Sequence, residues 1–383
     1  MNYLRRCMIK HGLLLSALAT VPVAFAGKKG TKRTVTDITG RNIACPDVPK
    51  RIYLADPSLL FLYASLVNAD FTQRLVAIPA GFRAADRLSY QQYCHRFPEI
   101  TTLPHLPPLA AAQVNTETIV DLHPDIIFTT TGTFAAMEAA GTTVLLERAG
   151  IRIIVLDMSI DPLKNTPLSI AIMAEVFQLQ EKAAEINTFI RTHLKDISSR
   201  LAIAGRVQIP VLLERAAGFS EECCYAYGNG NFAQFLTFAG GKNIGADYID
   251  GTYGVLNQET IIYTKPQKVI VTGSNWQGYN PGGDWVGLGP GADLIQAEKQ
   301  LGKLMQRPAF KTLAAVQKRD CYAIWHTFYD SPFGFIAALK FAVWLHPDLF
   351  SDIDPDAVFH AFYTRFLPVE WQPGYWVSLH PQP

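Results

Sequence analysis

Short apolar runs alternate with amphipathic stretches along most of the chain. Runs at 51–54, 75–78, 127–130 and 153–156 read as strands, and so do 209–213, 269–272 and 321–325. Helical spacing falls between them at 59–67, 134–149, 232–239, 299–316, 335–345 and 357–366. Alternation about Asp37-Ile-Thr-Gly40 predicts a hairpin over 34–45. Strands and helices in this order predict mainly parallel sheets. One pattern occurs twice: Asn115, Glu117, Thr118, Ile119, Pro124 and Thr130 recur as Asn257, Glu259, Thr260, Ile261, Pro266 and Thr272. Each copy reads as a short helix, a stop, and a strand entered at a proline, where a missing N–H does no harm. Such a unit cannot bury its apolar face alone, so two copies predict two α/β lobes.

Between the copies, Leu179, Ala183, Ile186, Ile190, Leu194, Ile197 and Leu201 repeat every three or four residues as one apolar stripe. Thr166 suits a helix cap, Pro167 the first helical position and Gly205 the stop. No glycine or proline interrupts 168–204, so the pattern predicts one connecting helix over 166–204, about 55 Å long at 1.5 Å per residue. The expected order is a first lobe at 27–165, the helix, a second lobe at 205–345, and a tail at 346–383. That tail is too apolar to hang free and is expected to pack on the body.

Arg5, Arg6 and Lys10 precede an apolar run at 12–24, and Ala24-Phe25-Ala26 offers a cleavage site before Gly27. Residues 1–26 therefore read as a signal peptide, too short to span a bilayer, and the product is expected in the periplasm. Its removal takes three basic residues from 34, leaving 31 Lys+Arg against 33 Asp+Glu. A near-neutral balance without a basic run speaks against nucleic acid and a polybasic membrane contact.

The mature chain keeps Cys45, Cys94, Cys223, Cys224 and Cys321, an odd number, so at least one thiol lacks an internal partner. A bond between the neighbours Cys223 and Cys224 and a bridge from one of them to Cys321 are both open. No CxxC or HExxH spacing predicts a zinc centre, and no GxSxG elbow predicts a hydrolase. No intrinsic metal, cofactor or catalytic activity is expected.

In parallel α/β sheets, ligands bind beyond the carboxyl ends of the strands. The loops leaving those ends are aromatic and carry arginine. A loop over 79–108 offers Phe82, Arg83, Arg87, Tyr90 and Tyr93, and one over 214–231 offers Tyr225, Tyr227 and Asn229. The glycine-rich stretch 273–291 offers Trp276, Tyr279 and Trp285 as a lid, and the last strand ends in Trp325, His326 and Tyr329. The expected ligand contacts are Arg83, Arg87, Tyr90, Tyr225, Tyr227, Trp276, Tyr279, Trp285, Trp325, His326 and Tyr329. Planar rings grip a bulky chelate by stacking, and arginines pair with carboxylate or catecholate oxygens. His326 and Tyr329 also suit the axial positions of a haem iron.

Several stretches together resemble the substrate-binding proteins of iron-complex and vitamin B12 ABC importers. They are Thr34-Val-Thr-Asp37-Ile-Thr-Gly40-Arg41 with Pro49-Lys-Arg51-Ile, both repeat copies, Phe238-Ala-Gly240-Gly241-Lys-Asn243-Ile244, and Leu313-Ala-Ala-Val316-Gln-Lys-Arg319-Asp-Cys-Tyr322. The resemblance covers most of the mature chain. It implies two α/β lobes joined by one rigid helix, a ligand in the cleft, and delivery to an inner-membrane ABC permease. Family members often carry an exposed Glu on the first helix of each lobe for docking. Here those regions read Ser58-Leu-Leu60-Phe61-Leu62 and Asn231-Phe-Ala-Gln234-Phe235, without the acid. The expectation is a monomeric binding protein for an iron–siderophore complex. Haem, cobalamin or molybdate are alternatives within the class, and an exported α/β enzyme lies outside it.

Overall fold

The computed structural model describes residues 33–109, 115–205, 208–220 and 223–380. The expected signal peptide lies outside the described residues.

The chain opens with the predicted hairpin, β1 (Arg33–Thr36) paired antiparallel with β2 (Asn42–Cys45). Asp37 holds its turn by accepting from the Thr39 and Arg41 amides and from the Arg41 guanidinium. The first lobe then runs β3 (Ile52–Leu54), α1 (Pro57–Val67), β4 (Leu75–Pro79), α2 (Gly81–Ala85), α3 (Arg87–Arg96), β5 (His105–Leu106), α4 (Thr116–Asp121), β6 (Ile126–Thr130), α5 (Thr131–Ala139), α6 (Thr142–Arg148) and β7 (Arg152–Leu156). Its sheet has the order β5-β4-β3-β6-β7, with every pair parallel.

Two expectations are corrected here. The stretch 79–108 is no open loop: Asp86 accepts the Ser89 amide and starts α3 directly after α2. The helix expected at 134–149 is two helices, because Gly141 turns left-handed (φ 73°) between them.

The connecting segment also differs. It comprises α7 (Pro162–Phe177) and α8 (Gln180–Ala204), and Pro167 lies inside α7 rather than at its start. Gln178 is left-handed (φ 59°); its amide reaches Glu175 O and the Leu179 amide reaches Ala174 O, the paired closure that ends a helix. Asn187 then donates to Pro167 O at 3.0 Å, so α8 folds back along α7. The predicted single rod is a helical hairpin. Ala183, Ile186, Ile190 and Ile197 of the stripe are buried, and a rod and a hairpin both bury one face. Periodicity therefore could not separate them.

The second lobe runs β8 (Ile209–Glu214), β9 (Tyr225–Tyr227), α9 (Phe232–Phe238), β10 (Gly241–Asn243), β11 (Tyr253–Val255), α10 (Gln258–Thr264), β12 (Lys268–Gly273), α11 (Leu294–Leu304), α12 (Ala314–Gln317), β13 (Cys321–Trp325), α13 (Phe335–Leu345), α14 (Pro355–Phe366) and β14 (Trp376–Ser378). Its sheet is mixed, in the order β11-β9-β8-β12-β13-β14 with β10 also beside β8. The strands β8, β10, β12 and β13 run parallel, whereas β9, β11 and β14 are antiparallel additions. The helix expected at 299–316 stops at Leu304, because in a continued helix the Pro308 ring would clash with the Leu304 carbonyl and offer it no N–H. The tail segment β14 pairs with β13, placing Val377 opposite Ala323, and α14 packs against both α13 and α1.

The repeated pattern has a local cause. Asn115 caps α4 by accepting from Glu117 and Thr118, and Asn257 caps α10 by accepting from Thr260. The residues before the two prolines, His123 and Lys265, are both left-handed (φ 44° and 47°) and turn the chain into β6 and β12. No helix among the described residues is long and apolar enough to cross a membrane.

Candidate ligand cleft

The carboxyl ends of both sheets converge on one cavity of about 300 Å³. From the first lobe it is lined by Pro57, Ser58 and Phe61 at the start of α1, and by Phe82, Ala85 and Asp86 around α2. The second lobe supplies Arg215, Ala216 and Phe219 after β8, Trp276 and Tyr279 after β12, and His326, Thr327, Tyr329 and Asp330 after β13. A groove of about 1050 Å³ between α3 and the 367–372 segment is larger. It lies off the parallel strand ends, so the smaller cavity is the candidate site.

Seven of the fifteen lining residues carry aromatic rings. Phe219 meets Trp276 edge-on at 5.3 Å, Trp276 meets His326 at 5.4 Å, and His326 meets Tyr329 at 4.8 Å. On the facing lobe Phe61 and Phe82 pack edge-on at 5.8 Å. His326 Nδ1 lies 2.8 Å from the Thr272 hydroxyl, and burial with the nearby Arg215 charge pushes its pKa well down. The ring is thus neutral at pH 7.

Charge in the cavity is sparse and unequal. Arg215 is the one lysine or arginine among the described residues lining it, and its guanidinium lies over the Tyr253 ring at 4.3 Å. Against it stand two carboxyl groups. Burial lifts Asp86 to about 6 despite hydrogen bonds from Ser89 and Thr327. Burial and the neighbouring Asp56 and Asp157 charges lift Asp330 to about 7, although Ser58 pulls the other way. Across the cleft, Thr327 donates to Asp86 and Ser274 Oγ donates to Ala85 O at 3.3 Å.

Of the residues singled out in the sequence, Phe82, Trp276, Tyr279, His326 and Tyr329 line this cavity. Arg83 and Arg87 are exposed outside it. Tyr90 also lies outside, packing on Phe82 with its hydroxyl 3.3 Å from His105 Nε2. Tyr225 is exposed on β9, and Tyr227 is buried against Phe232. Trp285 braces the 276–285 loop by donating to Asn280 O at 3.0 Å. Trp325 is wholly buried and stacks on Phe333 at 5.8 Å. Ser58, Phe61, Asp86, Arg215, Phe219, Thr327 and Asp330 line the cavity without having been expected there. Arg215 carried one usable signal, its place directly after an apolar strand.

The cysteine alternatives resolve as a Cys223–Cys224 disulfide, with Cys45, Cys94 and Cys321 free. Among the described residues, one cluster groups enough candidate metal ligands: Glu214, Cys223 and Cys224. Its sulfurs are bonded to each other, and Glu214 is paired with Arg307.

Two α/β lobes that meet at their strand ends around an aromatic cavity define a solute-binding protein. The periplasmic binding protein family model matches residues 106–325, more than half of the chain, and the chain belongs to that family. Among solved structures, it is similar to the TroA-like periplasmic binding protein FepB from Veillonella parvula. That likeness has a TM-score of 0.81 at 23% identity and covers 90% of this chain and 99% of that one. The molybdate-bound periplasmic binding protein MolA of a Haemophilus influenzae ABC transporter gives a TM-score of 0.67 at 16% identity, covering 89% and 99%. Helicobacter pylori CeuE in a nickel–histidine complex gives 0.64 at 17%, covering 89% and 97%. No curated protein matches the chain.

Proposed function

We propose that the chain is exported to the periplasm, captures a ferric chelate between its lobes, and delivers it to an inner-membrane ABC permease. Members of its family are binding proteins of transport systems, and the role assigned to this chain is capture rather than chemistry. The observation that carries it is the cavity wall: six aromatic side chains besides His326, one arginine and two carboxyl groups with raised pKa values. Rings of this kind hold a large, weakly polar ligand by stacking and exclude water around it.

The same wall narrows the ligand by charge. A ferric tris-catecholate carries three negative charges and at pH 7 would face a mostly ionised Asp86 and a half-ionised Asp330, with Arg215 the compensating cation among the described lining residues. A ferric trihydroxamate is neutral and meets no such penalty. The volume of about 300 Å³ suits a compact chelate or the metal-bearing head of a longer one. Molybdate, which MolA binds, is a dianion and is disfavoured by the same two carboxyl groups.

Tryptophan fluorescence during titration tests the proposal, using a ferric trihydroxamate, a ferric tris-catecholate, haemin, cobalamin and molybdate in turn. Saturable quenching by the trihydroxamate, weakened in Phe219→Ala, is expected. A response to molybdate alone, or none to either ferric chelate, overturns it.

A further inference from the structure

We propose that Cys223–Cys224 is a thiol–disulfide exchange site whose redox state sets the position of Arg215 in the cleft wall. The site acts on the protein whatever the cleft binds, so it stands apart from the choice of ligand.

The bonded pair grips Arg215 from both sides. Its sulfurs lie within 4.8 Å of a carboxylate oxygen of Glu214, the residue before Arg215. Glu214 is buried and accepts from both terminal guanidinium nitrogens of Arg307 at 2.6 Å, and Arg307 Nη1 is also 3.7 Å from Cys223 Sγ. On the other side Cys224 leads directly into β9, where Tyr225 O accepts the Arg215 amide at 2.7 Å. Cys224 O accepts the Leu256 amide, next to β11. That strand carries Tyr253, whose ring lies beneath the Arg215 guanidinium. The residue before Arg215, its own amide and the ring under its side chain are thus all tied to the disulfide.

Exchange begins at the accessible sulfur. Cys223 is half-buried and Cys224 is buried, so an incoming thiolate of a small dithiol attacks Cys223 Sγ. The S–S bond breaks, a mixed disulfide forms on Cys223, and Cys224 leaves as a thiolate that takes up a proton. The second thiolate of the dithiol then attacks its own sulfur in the mixed disulfide. Cys223 is released and protonated, and the reagent departs as a cyclic disulfide. Two electrons pass from the dithiol to the protein. Two unbonded sulfurs need van der Waals separation, so they spread toward the Glu214–Arg307 pair and the start of β9. The Arg215 backbone bond lies between these two anchors. Its loosening moves the Arg215 cation in the cavity wall.

Hydrogen–deuterium exchange with and without dithiothreitol, joined to alkylation and mass spectrometry, tests this without any cleft ligand. Reduction is expected to expose two alkylatable thiols at positions 223 and 224. The Arg215 amide then loses about tenfold in protection, while the β12 amides keep theirs, and reoxidation restores the first state. Cys224→Ser is expected to show the reduced pattern without reagent; if that variant does not fold, the two wild-type states decide. Alkylation of both cysteines before reduction, no new thiols under excess dithiothreitol, or unchanged Arg215 exchange once the thiols have appeared each overturns the proposal.

Discussion

Thr327 of the second lobe donates its hydroxyl to Asp86 Oδ2 of the first at 3.3 Å, and both residues line the cavity. The bond ties the lobes across the mouth of the site, and it does so through a carboxyl group that holds its proton unusually tightly. That coupling makes the cleft sensitive to pH.

Asp86 and Asp330 are raised to about 6 and about 7, above the ordinary carboxylate range near 4 that applies in the unfolded chain. The folded state binds these protons more tightly, so their contribution to stability is complete below about pH 4 and is lost as pH rises through 6 and 7. Every tenfold gain in proton affinity on folding is worth about 1.4 kcal/mol. Asp330→Asn, alone or with Asp86→Asn, is expected to flatten the fall in melting temperature between pH 5 and pH 8. Identical pH profiles for wild type and variants would show that the groups titrate normally.

Gly278 closes the lobes sterically. A Cβ there would sit 2.8 Å from Ala84 Cα, backbone that cannot turn aside. Gly278→Val is expected to cost about 1–3 kcal/mol in chemical denaturation and to weaken cleft binding. Gly132→Ala, where nothing lies within 4 Å, serves as the control. Equal midpoints for the two variants would count against this packing.

The Arg307–Glu214 pair is buried on the carboxylate side, with Glu214 2% and Arg307 21% exposed. Arg307→Ala strands a buried charge and is expected to destabilise the chain by roughly 3–5 kcal/mol. Replacing both, as Arg307→Met with Glu214→Leu, should recover most of that loss. A double variant no better than the single one would contradict the charge argument.

Lys265 is exposed and left-handed (φ 47°) where α10 turns toward Pro266. Glycine adopts this conformation without a Cβ penalty. Lys265→Gly is expected to raise stability, because relief of a left-handed penalty of roughly 1–2 kcal/mol exceeds the entropic cost of glycine, about 0.5–1 kcal/mol. The gain is read as a higher denaturation midpoint.

Much of this architecture was legible because its causes are local. Asn115 and Asn257 cap helices, Pro124 and Pro266 enter strands, and Cys321–Trp325 and Phe335–Leu345 occupy the spans their patterns predict. The α7–α8 turn was not legible, since Gln178 takes a left-handed conformation without being glycine. Trp325 shows the same limit at the site. Its place at a strand end suggested a ligand contact, but the ring points into the core against Phe61 and Phe333.

The sequence by itself determined two α/β units, their parallel strands, and an aromatic character at the strand ends, because alternation, capping and proline placement act over a few residues. Only the tertiary structure decided that the connector doubles back, and that Arg215, Asp86 and Asp330 share one cavity. Which neighbour at a strand end faces the other lobe depends on how two sheets dock, and that is settled by contacts between residues more than a hundred positions apart.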